Sequence, residues 1–347
     1  MQKLANILSC ILLLVSFSPS SFSADKELFF YNWSEYVPAS VLADFTKETG
    51  IRVVYSTYDS NETMYSTLKK QEQHYDLVVP SSYFVSKMRK EGMLQELNKS
   101  KLSHLNDLDP AYLNKPFDPE NQYSVPYVLG ATGIGINADM LDLTSVKNWN
   151  DFWDTKWEGQ LMVIDDAREL FHIALIRLGY SVNTTDPDEI KSAYEELQQL
   201  MPNILVFNSG FPANPYLSGE VSLGMLWNGS AYMARNEGAN IRIVWPEKGT
   251  IFWMDSLAIP ADAQNVDAAH QMIDFLLRPD NAAKIALKIG YPTPVKSAYP
   301  LLPKAFIEDP SIFPSQEVIE SGYWQDDVGE ANELYEEYYQ KLKDHYQ

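Results

Sequence analysis

The sequence has one cysteine, a deficit of positive charge and no apolar run of membrane-spanning length. The cysteine, Cys10, lies in an N-terminal stretch that reads as an export signal. Lys3 is its short positive start, Ile7 to Phe17 its apolar run, and Ser21-Phe22-Ser23 put small residues before a cleavage point at Ala24. The apolar run follows Cys10 instead of preceding it, which argues against a lipid-modified cysteine. With residues 1–23 removed, the chain has no disulfide, no thiol nucleophile and no thiolate metal ligand. Its core must hold it together, and its length suits about two ordinary domains. Lys and Arg number 27 against 47 Asp and Glu, a formal net charge of −20. That balance argues against nucleic acid or anionic membrane as partner and is compatible with a cationic ligand. Enzyme motifs are scarce too. The five histidines (His74, His104, His172, His270 and His345) show no H-E-x-x-H spacing, and G-x-S-x-G and phosphate-loop motifs are missing. Gly130, Gly133 and Gly135 are wrongly spaced for a nucleotide fingerprint. No metal and no cofactor are expected.

What is present is alternation of strand and helix. Leu28–Trp33, Ile51–Tyr58 and Asp76–Pro80 read as strands. Helices follow from Pro38 to about Glu48, from a Ser60 cap to about Lys70, and over Ser82–Lys90. This is an α/β unit with a largely parallel sheet. Residues 98–125 are looser, with turns at Asp109-Pro110, Lys115-Pro116 and Asp118-Pro119. Tyr127–Asn137 is a long strand leaving that unit. A second unit follows: a helix over Trp149–Trp157, a strand Gln160–Asp165, a helix Ala167–Leu178, and another helix Ser192–Leu200. Strands Ile204–Phe207 and Leu223–Trp227 come next, and Ile241–Trp245 leads to Ile251–Pro260. Ala268–Leu277, Ala282–Ile289 and Asn332–Lys343 read as helices. Two strand-like passages, near 127–137 and 251–260, join the units. The expected architecture is a two-lobed clamshell with a two-strand hinge, each lobe a mixed, mostly parallel sheet flanked by helices. Residues 24–133 with 256–303 form one lobe, and 134–255 with 304–347 the other.

The passage Ile251–Pro260, IFWMDSLAIP, sets the functional question. It reads as a buried strand, yet Asp255 sits in its middle, on the same face as Trp253. A buried carboxylate needs a cation or hydrogen-bond donors. Either a protein group supplies them, or Trp253 and Asp255 await an organic cation. In open parallel sheets, ligands bind beyond the carboxyl ends of strands. Those ends carry Trp33, Ser34, Glu35 and Tyr36, then Ser81 and Tyr83, then Asp166 and Glu169, then Trp227: aromatics, hydroxyls and carboxylates, with Arg168 the one cation among them. Such a lining suits an ammonium compound and not a phosphate. Each residue also has a structural alternative. Asp166 and Glu169 match a capping box, Ser81 fits a helix cap, Trp227 fits a core, and Tyr291 fits packing between Gly290 and Pro292. Arg168 suits neutralising a carboxylate better than touching a cationic ligand. Paired carboxylates beside aromatic platforms also occur in glycoside hydrolases, which is the enzymatic rival.

The runs FFYNWSEYVP, STYDSNETMY, YDLVVPSSY, NPYLSGEVSLGMLWNGSA, IFWMDSLAIP, IGYPTP, WQDDVG and YEEYYQKLK, among others spread over nearly the whole chain, carry a resemblance. The chain resembles the spermidine/putrescine-binding periplasmic proteins of polyamine ABC transporters, within the bacterial extracellular solute-binding family. The resemblance implies a type II periplasmic-binding-protein clamshell, not an enzyme, that closes on spermidine or putrescine and delivers it to membrane permease subunits. It implies a periplasmic monomer. It implies an aromatic box of Trp33, Tyr36, Trp227, Trp253 and Tyr291, ammonium contacts from Asp166, Glu169 and Asp255, and further hydrogen bonds from Glu35, Ser81, Tyr83 and Gln325. Ser34 stands where close relatives often have Thr and keeps the hydroxyl. Tyr83, Asp166 and Gln325 resemble the spermidine-preferring branch. An exported sensor docking on a receptor would use the same clamshell.

Overall fold

The computed structural model describes residues 26–346 except Glu72. The expected export signal, and the start of the first lobe at residue 24, lie outside the described residues. The strands, in chain order, are β1 (Glu27–Trp33), β2 (Arg52–Tyr58), β3 (Leu77–Val78), β4 (Ser124–Asn137), β5 (Leu161–Val163), β6 (Ile204–Phe207), β7 (Leu223–Trp227), β8 (Ile241–Val244), β9 (Ile251–Ala258) and β10 (Tyr323–Trp324). They form one mixed sheet in the order β2-β1-β3-β9-β4-β7-β5-β6, with β10 on β9 and β8 on β4. β1 runs parallel to β2 and β3, and β5 runs parallel to β6 and β7. The two parallel groups are linked by antiparallel β4 and β9.

β4 is the spine. Its 14 residues, at about 3.3 Å each, extend roughly 45 Å, enough to run through both halves of the molecule. Its first part pairs with β9, from Ser124 opposite Ala258 to Thr132 opposite Ile251, with a register shift between Pro126 and Val128. Pro126 donates no hydrogen bond, so the irregularity falls where the ladder is weakest. Its second part pairs with β7 on one edge and β8 on the other. Apolar side chains bury in two separate clusters. One gathers residues from 28–129 and 253–312, the other from 134–251 and 328–342, and Trp227 packs against both. Two cores joined by crossing strands make a two-lobed α/β fold. Phe306 and Ile312, in the stretch the sequence reading gives to the second lobe, bury in the first core.

Local chemistry explains the helix limits. α1 (Ala39–Thr49) ends at Gly50, whose φ of 70° is the left-handed conformation open to glycine. α2 (Asn61–Lys70) is capped by Ser60, which accepts from Thr63 N–H. α3 (Ser82–Lys90) and α4 (Ala167–Leu178) follow β3 and β5. α5 (Pro187–Leu200) begins five residues before the expected start at Ser192, because Asp186 caps it and Pro187 occupies its first turn. The helix expected from Ala282 starts at Pro279, which occupies its first turn. Trp149–Trp157 is two short 3-10 turns instead of an α-helix, Trp149–Trp153 and Thr155–Trp157, each started by an Asn or Asp side chain. The third strand narrows to Leu77–Val78. A closing helix, Ala331–Tyr346, lies on the second core.

Candidate ligand-binding site

Where the two lobes face each other there are two adjoining cavities. Trp33, Tyr36 and Trp227 belong to both, so they form one continuous cleft. The first cavity holds Ser81, Tyr83, Asp166, Glu169, Trp253, Asp255 and Gln325. The second holds Ser34, Glu35 and Tyr291. All thirteen residues singled out from the sequence therefore line the cleft. They arrive from the carboxyl end of β1, the β3–α3 junction, the β5–α4 junction, the end of β7, the middle of β9, the turn after Gly290, and the residue after β10.

Five aromatic rings form a closed circuit of neighbours. Trp33 meets Trp227 at 6.3 Å between ring centres, Trp227 meets Trp253 at 6.2 Å, and Trp253 meets Tyr291 at 5.2 Å. Tyr291 meets Tyr36 at 6.0 Å, and Tyr36 returns to Trp33 at 6.1 Å. Trp33, Tyr36 and Tyr291 belong with the first core, and Trp227 touches both cores, so the circuit spans the lobe boundary. Gly130 on β4 makes room for it: a Cβ there would stand 2.1 Å from the Trp253 indole.

The carboxylates are buried. Asp255 is 1 % exposed and accepts from Ser81 Oγ at 2.6 Å and Tyr36 Oη at 2.7 Å. Neutral hydroxyls thus answer the question posed by its place in a strand, and no cationic side chain pairs with it among the described residues. Burial pushes Asp255 up to about 7 against the pull of those two donors. Glu169 Oε1 accepts from Thr132 at 2.9 Å and from Trp227 Nε1 at 3.4 Å, while its buried Oε2 has no partner among the described residues. Burial, and then Asp166 beside it, push Glu169 up to about 8. Asp166 does both things open to it. Its Oδ1 caps α4 by accepting from Glu169 N–H at 2.9 Å, and it still lines the cleft, with Tyr83 Oη 3.4 Å from Oδ2. Burial raises its pKa, opposed by the Glu169 N–H and then by Arg168. Ser81 makes no cap with its side chain, which is spent on Asp255. The buried Trp253 Nε1 and Gln325 Nε2 also have no partner.

Glu35 is at the exposed rim, in a left-handed backbone conformation with φ 66°, which turns the chain sharply after β1. Ser34 Oγ donates to Asp59 at 2.8 Å. Arg168 does not line the cleft; it is wholly buried behind it. The strand-end survey missed Asn61 and Asp59. Asn61 lines the first cavity and donates to Ser81 Oγ at 3.0 Å and Tyr83 Oη at 3.1 Å, and Asp59 lines the second. Both follow the carboxyl end of β2, and the same survey rule finds them there. A wider opening leads off from Asp166, and its rim includes Asp59, Glu62, Glu336 and the Asp165–Lys343 ion pair at 2.6 Å. Among the described residues no group of three or more His, Cys, Asp or Glu could hold a metal ion.

A closed aromatic circuit beside buried carboxylates suits an elongated organic cation. Among the described residues no helix is long and apolar enough to cross a membrane. The comparisons agree with this reading of the architecture. Residues 40–314 match the family described as bacterial extracellular solute-binding protein. The spermidine/putrescine-binding periplasmic protein of Salmonella typhimurium is 56 % identical over 339 residues, covering 97 % of each chain. That of Escherichia coli is 58 % identical over 320 residues, covering 92 % of each. A crystal structure of the spermidine/putrescine ABC transporter substrate-binding protein from Streptococcus pneumoniae superposes with a TM-score of 0.76 at 33 % identity, over 93 % of this chain and 100 % of that one. The chain belongs to the bacterial extracellular solute-binding proteins, a family of transport receptors.

Proposed function

We propose that the protein captures a polyamine, spermidine in preference to putrescine, in the periplasm and delivers it to the permease of an ABC transporter. The observation that carries this is the pairing of the five-ring circuit with three buried carboxylates, none of which forms an ion pair with a cationic side chain among the described residues. A polyamine has charged nitrogens separated by methylenes. Ring faces cover the methylenes and attract adjacent ammonium groups by about 0.5–2 kcal/mol each. Each carboxylate adds a charge-assisted hydrogen bond of about 1.5–3 kcal/mol. In this reading Asp255, Glu169 and Asp166 take the ammonium groups, Ser81, Tyr83 and Gln325 add hydrogen bonds, and Ser34 and Glu35 serve the far end of the cleft. Tyr83, Asp166 and Gln325, which resemble the spermidine-preferring branch and line the first cavity together, support a triamine over a diamine. The names of the relatives support the same ligand class.

The lobes that close are residues 24–133 with 256–303 and residues 134–255 with 304–347. The burial of Phe306 and Ile312 in the first core supports moving the last boundary toward the Tyr323–Trp324 crossing. The protein acts as a monomer without cofactor. The net charge of −20 supports electrostatic steering of a cation toward the protein. Titration calorimetry of the mature protein against putrescine, spermidine, spermine and cadaverine tests the reading. Spermidine is expected to bind tightest, and no binding of any of the four would overturn it.

A further inference from the structure

Arg168 is wholly buried and stands between two carboxylates of a cleft that is to hold a cation. A fixed positive charge there opposes capture of another, and its desolvation is costly, so a compensating role is needed. Its partners supply one. Nη1 donates to the Asp326 carbonyl at 3.2 Å and Nη2 to Asn183 Oδ1 at 2.9 Å. Asn183 in turn donates to the Trp324 carbonyl at 2.9 Å and accepts from Asp326 N–H at 3.0 Å. The two side chains thus hold the backbone on both sides of Gln325, whose amide lies in the cleft. The first lobe grips the same crossing: Ser82 Oγ donates to the Gln325 carbonyl at 3.1 Å and Ser86 Oγ to Asp327 at 2.9 Å. The guanidinium also stacks between two rings, Tyr83 of α3 at 5.3 Å and Tyr335 of the closing helix at 5.2 Å. Tyr83 buries with the first core and Tyr335 with the second, so this stack bridges the lobes.

We propose that Arg168, together with Asn183, is a positioning residue for ligand capture: it fastens the Trp324–Asp326 crossing and Tyr83 to the helix that carries Asp166 and Glu169, without touching the ligand. The proposal rests on the cation-binding reading above. Its charge has a second effect. The groups facing Arg168 are Asp166, Glu169 and His172 on its own helix, Tyr83 on α3, and Tyr335 and Glu336 on the closing helix. Arg168 pulls Asp166, Glu169 and Glu336 down while burial drives them up. It therefore offsets part of the burial cost of ionising Asp166 and Glu169, at some loss of attraction for the ligand.

Lysine keeps the charge and loses the planar fork and the stack, whereas methionine loses both. Spermidine binding by calorimetry from pH 6 to 9 separates the two effects, with thermal unfolding as the fold control. Arg168→Lys is expected to weaken binding about tenfold at pH 7 and to keep the wild-type pH profile. Arg168→Met is expected to weaken it at pH 7 and to move the profile upward by about half a pH unit or more. Asn183→Ala, which removes only the bonds to Trp324, Asp326 and Arg168, is expected to weaken binding about threefold or more with the profile unmoved. If the arginine variants do not fold, Asn183→Ala decides alone, and unchanged affinity there overturns the proposal. Equal losses in Arg168→Lys and Arg168→Met with unshifted profiles also overturn it, since that is what a merely structural arginine does. Wild-type protein that binds no spermidine overturns the cation-binding reading and this one with it. Wild-type binding with all three variants unchanged overturns this one only.

Discussion

Asp255→Asn isolates the charge at the centre of the cleft. The carboxylate accepts from Ser81 at 2.6 Å and from Tyr36 at 2.7 Å. Asparagine has the same shape, its oxygen keeps one hydroxyl, and the other hydroxyl can turn to accept from its amide. The fold is therefore expected to persist. Burial places the wild-type pKa at about 7, above the ordinary 3.8. For a carboxyl raised in this way, the contribution to stability is present below the unfolded value and is lost as pH rises through the window from 3.8 to about 7. The neutral amide escapes that loss, so without ligand the variant should melt at or above the wild-type temperature at pH 8. Binding goes the other way. A charge-assisted hydrogen bond to an ammonium group contributes about 1.5–3 kcal/mol, so its removal should weaken spermidine binding by roughly 10- to 150-fold. Calorimetry at pH 8 measures the affinity, and a thermal melt at the same pH checks the fold. An intact variant with unchanged affinity refutes the role given to Asp255. A variant melting far below wild type at pH 8 refutes the desolvation argument.

Because Asp255 and Glu169 sit at about 7 and 8, an ammonium ligand displaces protons from them, and affinity should rise with pH up to about 8. Calorimetry in buffers of different ionisation heat counts those protons, and a pH-independent affinity between about 6 and 8 would contradict the assignment. Gly130→Ala drives a methyl group into the Trp253 indole, so it should lose about 1–3 kcal/mol of stability. It should also weaken ligand binding, and normal binding by a folded variant would remove Trp253 from the aromatic circuit. Gly224→Ala puts a Cβ 2.1 Å from the Met162 carbonyl across the β5–β7 pairing. No side chain can yield there, so urea unfolding should show a loss of about 4 kcal/mol or more, and near-wild-type stability would refute that packing.

Much of this was legible before any coordinates. Apolar periodicity, caps and glycine stops locate β1, α1, α2, α3, α4 and β9 to within a residue or two, because these signals act over one or two turns of chain. The early starts of α5 and of the helix from Pro279 are legible as well, in the Asp186 cap with Pro187 and in Pro279 itself, signals that lie outside the apolar periodicity. The strand-end rule reached Trp33, Ser81, Asp166 and Trp227, and would have reached Asp59 and Asn61 had β2 been included. Chemistry that depends on residues far apart was not legible. Tyr36 and Asp255 lie 219 positions apart, so the hydroxyl that solvates the buried carboxylate is invisible in either local stretch. Asp166 offered a cap and a ligand contact as alternatives, and only packing shows that one oxygen caps α4 while the residue still lines the cleft. The same holds for Arg168, whose stack on Tyr83 and grip on the Trp324–Asp326 crossing exist only once the lobes meet. Local backbone preference writes elements into short runs of residues. Which of their ends meet, how deeply a charge is desolvated there, and what then neutralises it follow from the pairing of β4 with β9 and the burial of two cores against each other.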